Sequence, residues 1–153
     1  MDISQRLSDL GIKLPNAMPP VANYVPVTII GDLVTVSGQL PAIDGKVAVS
    51  GKLGGKVSLE DGQYAARLCL INLLAQLQAA IPGGLDRITR VVRLGGFISC
   101  TPDFTQHAIV MNGASDLAVD VFGPIGRHAR STIGVASLPL DAAVEVEGQF
   151  YLG

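Results

Sequence analysis

Ala129-Arg130-Ser131-Thr132-Ile133-Gly134-Val135-Ala136-Ser137-Leu138-Pro139, followed by Val144-Glu145-Val146-Glu147, is the stretch on which the reading of the fold turns. Strand side chains alternate with period two. Read as a β-hairpin turning near Leu138-Pro139, the stretch collects Ile133, Val135, Val144 and Val146 on one face. Arg130, Thr132, Gly134, Glu145 and Glu147 fall on the other. Directly opposed Cβ atoms sit roughly 4.5–5.5 Å apart and diagonal neighbours about 7–8 Å apart. That register sets Thr132 opposite Glu145 and Arg130 opposite Glu147, with Arg130 and Glu145 as diagonal neighbours. A guanidinium beside a carboxylate is either a cross-strand ion pair or a site that holds an acidic substrate and positions a water.

Working outward, the chain before this stretch alternates strand and helix signals. Gly31-Asp32, between Val25–Ile30 and Leu33–Ser37, signals a tight hairpin. Asp44-Gly45 marks a second turn, with Lys46–Val49 as a short strand. Ser58 suits an N-cap, with Glu60 and Asp61 favourable in the first turn. The wide apolar stripe that follows predicts a helix buried on more than one side, stopped by Pro82-Gly83-Gly84. Ile88–Ser99 reads as a long strand in which Gly95-Gly96 marks a bulge or close packing. Thr101-Pro102 fits an N-cap with proline at N1, with a loop through Asp103 and Phe104 as the alternative. A helix over roughly Thr105–Phe122 then ends at Gly123-Pro124. Ser4–Leu10 is a short helical turn, and Leu14–Pro20 a proline-rich link. The order β-β-β-α-β-α-β-β predicts an α+β fold, one sheet with both helices on one face.

Composition bounds the function. The 153 residues are 48% hydrophobic and 16% charged, with a formal net charge of -2. This fits one folded domain over 1–153, with about 1–20 as an N-terminal extension, and excludes disorder. The apolar surplus points to a surface covered by another chain. There is no Trp and no basic run. A nucleic-acid partner is therefore not expected. The uncharged stretches Leu14–Gly31 and Leu68–Leu85 are broken by prolines and amides, so no membrane span is expected. The start of the chain does not read as a signal peptide, and a cytoplasmic location is expected. Cys69 and Cys100 form no ligand cluster and read as reduced, buried thiols; a disulfide is the alternative. His107 and His128 find no partners by spacing and are expected at surfaces or in loops. Ser37-Gly38-Gln39 reads as a strand end, and Gly51–Gly55 as a loop bordering the cleft, since neither carries a nucleophile-elbow or phosphate-loop pattern.

Several of these residues together resemble the reactive intermediate deaminase (Rid, YjgF-like) family, often labelled endoribonuclease L-PSP. They are Ala129-Arg130-Ser131, Leu138-Pro139, Val144-Glu145-Val146-Glu147, Tyr24, Val36-Ser37-Gly38-Gln39-Leu40-Pro41, Val110-Met111-Asn112 and Phe122-Gly123. The resemblance spans about Val21 to Tyr151. The longer N-terminus and Asn112-Gly113-Ala114-Ser115-Asp116-Leu117 are similar to a divergent L-PSP/chorismate-mutase-like branch. The resemblance implies a chorismate-mutase-like fold assembled as a homotrimer with clefts between subunits. It implies hydrolysis of enamines or 2-imino acids to 2-oxo acids and ammonia, with no metal and no organic cofactor. Arg130 would bind the substrate carboxylate and Glu145 would hold the water as catalytic residues, with Tyr24, Thr132 and Asn112 lining the substrate site. Glu145 has the alternative role of a structural acceptor at the trimer interface, and Tyr24 that of a packing residue. Thr132 stands where the deaminase branch commonly carries a cysteine. A non-enzymatic binding or sensing module is the alternative function, and endoribonuclease activity a further one.

Overall fold

The computed structural model of the chain describes residues 2–20 and 22–153. Met1 and Val21, the latter at the start of the stretch that carries the resemblance, lie outside the described residues. The elements are α1 (Ile3–Asp9), β1 (Val27–Ile30), β2 (Leu33–Gln39), β3 (Ala42–Ile43), β4 (Lys46–Val47), α2 (Leu59–Ala80), β5 (Ile88–Ser99), α3 (His107–Phe122), β6 (Ala129–Val135) and β7 (Val144–Leu152). The main sheet has five strands in the order β1-β2-β7-β5-β6, and β3 and β4 form a small separate hairpin. As expected, this is an α+β fold, with α2 and α3 packed together on one face of a single mixed sheet.

Local chemistry accounts for most of these elements. Gly31 takes φ +61° between paired Ile30 and Leu33, which closes the β1–β2 hairpin in two residues. The Ser58 hydroxyl accepts from the Asp61 amide at 3.1 Å and starts α2. The wide apolar stripe buries Ala65, Ala66, Cys69, Leu70, Leu73, Leu74 and Leu77 between the sheet and α3. By length and composition alone His107–Gly126 could cross a membrane. Its residues Val110, Met111, Ala114, Leu117, Val121 and Phe122 are instead buried in the core.

Of the two alternatives open at Gly95-Gly96, close packing holds, and the cap expected for α3 needs correction. The irregularities in β5 fall at Ile88–Arg90 and Val91–Arg93 rather than at the glycine pair. Gly95-Gly96 serves close packing, since a Cβ on Gly96 would lie 2.5 Å from Met111 Sδ. Thr101 does not cap α3. Its hydroxyl donates to Asp103 Oδ1 at 2.7 Å inside a turn, and the helix begins only at His107.

The hairpin reading of the C-terminal stretch is overturned. β6 and β7 do not pair. β6 runs parallel to β5, and β7 runs antiparallel to the other edge of β5. The physical reason is the crossover: α3 carries the chain from the end of β5 back to its start, which permits a parallel strand. The segment after β6 then passes through a Pro139–Asp141 turn, with Leu140 at φ 57°, and returns on the far side of β5. Leu94 pairs with both Arg130 and Gly148, while Phe97 pairs with Ile133 and Glu145. Arg130 therefore shares a sheet face with Val144 and Val146, and Glu145 with Ile133.

The two helices meet where side chains are smallest. A Cβ on Gly113 of α3 would run into the Gln63 carbonyl of α2, and one on Gly62 would press on Leu53 and Val110. Gly113→Ala is expected to cost about 1–3 kcal/mol, because backbone cannot yield as a side chain can. Urea unfolding monitored by circular dichroism will show this as a lower midpoint. An unchanged midpoint would mean that the helices can part at no cost.

Candidate functional site

Arg130 projects from the edge strand β6 toward α3. Its Nη1 donates to Asn112 Oδ1 at 2.8 Å and to Ser115 Oγ at 3.1 Å, and its Nη2 to the Ala108 carbonyl at 3.4 Å. Positions 108, 112 and 115 recur at helical spacing, so one stripe of α3 presents three acceptors to the guanidinium. All three are neutral. Among the described residues no carboxylate lies within ion-pair distance of Arg130; the recorded ion pair is Arg93 with Glu147 at 3.4 Å. A guanidinium has five N–H donors in a planar fork. Three neutral bonds fix its plane and leave donors and a full positive charge for an anion.

The network continues behind Ser115. Ser115 Oγ lies 2.9 Å from His128 Nε2, and His128 Nδ1 lies 2.6 Å from the Gly126 carbonyl oxygen. His128 lies in the loop before β6, as expected, but has partners on both ring nitrogens that spacing did not reveal. Burial first, then the positive charges of Arg130 and Arg90, hold its pKa below the ordinary range, against the opposing pull of the Gly126 bond. His107 is also partnered. Its Nε2 lies 3.6 Å from Cys100 Sγ, and its ring meets Phe104 edge-on.

Thr132, two residues along β6, points the same way as Arg130. Its hydroxyl oxygen is buried and has no hydrogen-bond partner among the described residues. Gly134 follows on this face, where a Cβ would strike both His107 Nε2 and Cys100 Sγ. Arg130, Thr132 and Gly134 therefore line up along the helix side of one edge strand.

Glu145 belongs elsewhere. It lies on the sheet face that carries no helix, half-buried beside Gly38, where a Cβ would come within 2.8 Å of its carboxyl carbon. The register shift between Val36 and Gln39 in the β2–β7 pairing places Gly38 there. Burial first, then the charge of Glu147, raises the Glu145 pKa. Tyr24 is half-exposed and lines a hollow with Gly38, Gln39, Asn72 and Gln76. Asn72 and Gln76 donate there to backbone carbonyls of Leu40, Ala42 and Met18. The five proposed site residues thus form two groups in one protomer. Arg130, Asn112 and Thr132 sit on the helix side of the β6 edge, and Glu145 and Tyr24 lie toward Gly38. The diagonal Arg130–Glu145 contact expected from the hairpin does not occur within one chain, because β5 lies between their strands and the two side chains point to opposite faces.

Sequence reasoning placed Arg127 and His128 near Arg130 as added positive character, and missed Ser115 and its link to His128. The signal available was the polar pair Asn112 and Ser115, three residues apart on a helix that is otherwise apolar on its buried side. Nothing in the sequence linked that pair to His128, since the contact depends on the crossover.

The comparisons agree with this architecture. Residues 4–148 match the family model described as YjgF/chorismate mutase-like, putative endoribonuclease, and the chain belongs to that family. It is 48% identical over 146 residues to Protein TCP17 of Trypanosoma cruzi, covering 95% of this chain and 91% of that one. It is 48% identical, with a TM-score of 0.92, to the crystal structure of Atu1372, a protein of unknown function from Agrobacterium tumefaciens, covering 99% of this chain and 92% of the other. TdcF of E. coli, solved with bound serine, is 26% identical with a TM-score of 0.66, over 90% of this chain and 94% of that one.

The raised pKa of Glu145 has a stability consequence. Between the unfolded and the raised native value the folded state holds more protons, so this group's contribution falls as pH rises through that window. Glu145→Gln removes the penalty. The variant is expected to be more stable than the natural chain toward urea at pH 7, with the gap closing below the ordinary carboxylate range. Equal midpoints at pH 7 would mean that the carboxylate is fully solvated.

Proposed function

We propose that this chain binds small carboxylates in clefts between the subunits of a homotrimer and hydrolyses enamines or 2-imino acids to 2-oxo acids and ammonia. The single observation that carries the reading is the guanidinium of Arg130, oriented by three neutral acceptors and left with its charge uncompensated. Family membership supports it, and so does the serine bound in TdcF, a ligand with an α-carboxylate beside an amino group.

The reaction asks little of the protein beyond position and proton movement. Arg130 grips the carboxylate through two parallel N–H donors, which sets the imine carbon in one place. Glu145 accepts a proton from a water as its oxygen adds to that carbon. Glu145 returns that proton to the nitrogen, giving a neutral carbinolamine; the carbinolamine hydroxyl proton then passes by way of Glu145 to the nitrogen as the C–N bond breaks, so that ammonia leaves and the carbonyl of the 2-oxo acid forms. Burial and the charge of Glu147 raise the Glu145 pKa, which makes the carboxylate a better proton acceptor than a solvated one. Asn112 fixes the Arg130 plane, and Tyr24 closes the cleft over the substrate.

The separation of the two groups supports an assembly of copies, and the family resemblance supplies the number three. Arg130 and Glu145 of one copy face opposite ways, so a cleft holding both needs two copies. The bare sheet face supports the assembly. It exposes Leu33, Thr35, Ile133 and Tyr151 and carries a hollow of ≈470 Å³ bordered by Thr35, Ser37, Arg93, Glu147 and Gln149. With the sites inside such an assembly and an acidic net charge, the cytoplasmic setting of small-metabolite chemistry fits the reading.

A second reading, binding of a 2-oxo acid without turnover, is favoured by Thr132 where the deaminase branch commonly has cysteine. The experiment that separates them supplies 2-iminopropanoate, generated in place by an amino-acid oxidase, and follows its loss. The natural chain is expected to accelerate hydrolysis, and Arg130→Ala and Glu145→Gln each to abolish the acceleration. Unfolding and remixing the two variants in equal amounts regenerates both groups at roughly one cleft in four, because a head-to-tail interface takes one group from each neighbour. No acceleration by the natural chain leaves the binding reading. Full activity in Arg130→Ala removes both readings.

A further inference from the structure

We infer that Ser115 and His128 are positioning residues for Arg130, forming with the Gly126 carbonyl a one-way hydrogen-bond chain that aims the guanidinium at its anion. The inference deepens the proposed carboxylate site and rests on that reading for its role in binding.

The direction of the chain follows from its fixed end. The Gly126 carbonyl can only accept, so His128 Nδ1, 2.6 Å away, carries the proton. In the neutral ring Nε2 is then an acceptor. The Ser115 hydroxyl, 2.9 Å away, donates its single proton to Nε2. That leaves the lone pairs of Ser115 Oγ toward Arg130, whose Nη1 donates at 3.1 Å. Each donor finds an acceptor, with none left over. Were the hydroxyl free to rotate, it could present its hydrogen to the guanidinium and repel it. His128 removes that freedom.

The chain joins three elements. The Gly123–Gly126 turn after α3 supplies the carbonyl, α3 supplies Ser115, and β6 supplies Arg130. A Cβ on Gly126 would run into the Ala118 carbonyl, so the turn is pressed directly onto α3. The anchor is thus tied to the packed helix.

The chain works only with a neutral His128. The charged groups acting on it are Arg130 and Arg90, both positive, and both oppose its protonation, as does burial. Among the described residues no carboxylate bonds to it. Protonation turns Nε2 into a donor, leaves Ser115 Oγ with two donors, and sets a second positive charge beside the guanidinium. Carboxylate affinity is therefore tied to His128 protonation, apart from the overall charge of the cleft.

Two arms test this. In the first, binding of 2-oxobutanoate is measured by calorimetry, with urea unfolding as a check on folding. Ser115→Ala and His128→Phe are expected to weaken binding about tenfold, the loss from one hydrogen bond to a charged group, while Ser115→Thr, which keeps the hydroxyl, stays within about twofold of the natural chain. The second arm needs no ligand. The ring ¹⁵N shifts of His128 in the natural chain are expected to show a protonated Nδ1 and an unprotonated Nε2 at pH 7. The titration midpoint is expected to rise in Arg130→Gln. If the natural chain binds 2-oxobutanoate and both disrupting variants bind it equally well, the positioning role falls while the carboxylate site stands. If the natural chain binds no carboxylate, that site falls, and the ¹⁵N arm alone decides whether the chain exists. An equal mixture of the two His128 tautomers, or a midpoint indifferent to Arg130, overturns the inference whatever the binding result.

Discussion

The pairing of β5 along both of its edges is the constraint from which the rest follows. One edge takes β6 in parallel and the other takes β7 antiparallel. A strand so placed keeps its two neighbours apart, and here those neighbours carry the two ionisable groups of greatest chemical interest. It also fixes which way each points. Leu94 belongs to the row that holds Arg130 and Gly148, and Phe97 to the row that holds Ile133 and Glu145. The small residues of β5 matter for the same reason. Gly96 lets Met111 of α3 lie almost on the backbone, which brings the helix close enough for its acceptors to reach Arg130.

Electrostatics divides the molecule in the same way. On the helix side, Arg130 and the neutral His128 are surrounded by amide, hydroxyl and carbonyl groups. On the bare side, Glu145 and Glu147 lie near one another on β7, and among the described residues only Glu147 has a cation within ion-pair distance, Arg93. An uncompensated cation on one surface and a half-buried carboxylate beside a like charge on another are each costly alone.

Much of this was legible in the sequence, and the part that was not has a definite physical cause. Ser58, Gly31-Asp32 and Pro82-Gly83-Gly84 act through local hydrogen bonds and backbone preferences, so they marked α2 and the first hairpin correctly. Alternation along Arg130–Val135 and Val144–Glu147 correctly sorted each strand into two faces. It could not say which face of one strand matches which face of the other, because period two is silent about what lies between them. The available clue was the helix between Ile88–Ser99 and Ala129–Val135, which makes a parallel crossover as natural as a hairpin. Choosing the hairpin joined Arg130 to Glu145 within one chain. Asn112 was expected to line the substrate site, and it bonds to Arg130 directly. The contact between Ser115 and His128 escaped notice because it depends on how a turn folds back over the helix.

The helix α3 carries the chain across the sheet, fills the core with its apolar face, and offers Asn112, Ser115 and the Ala108 carbonyl to Arg130. Its three duties cannot be separated. Any copy of this chain that has folded has already aimed its cationic anchor, with no later adjustment of a loop. The surface around Gly38, Tyr24 and Glu145, on the other side of the sheet, is under no such obligation. Mutations can therefore accumulate there without disturbing how the guanidinium is held.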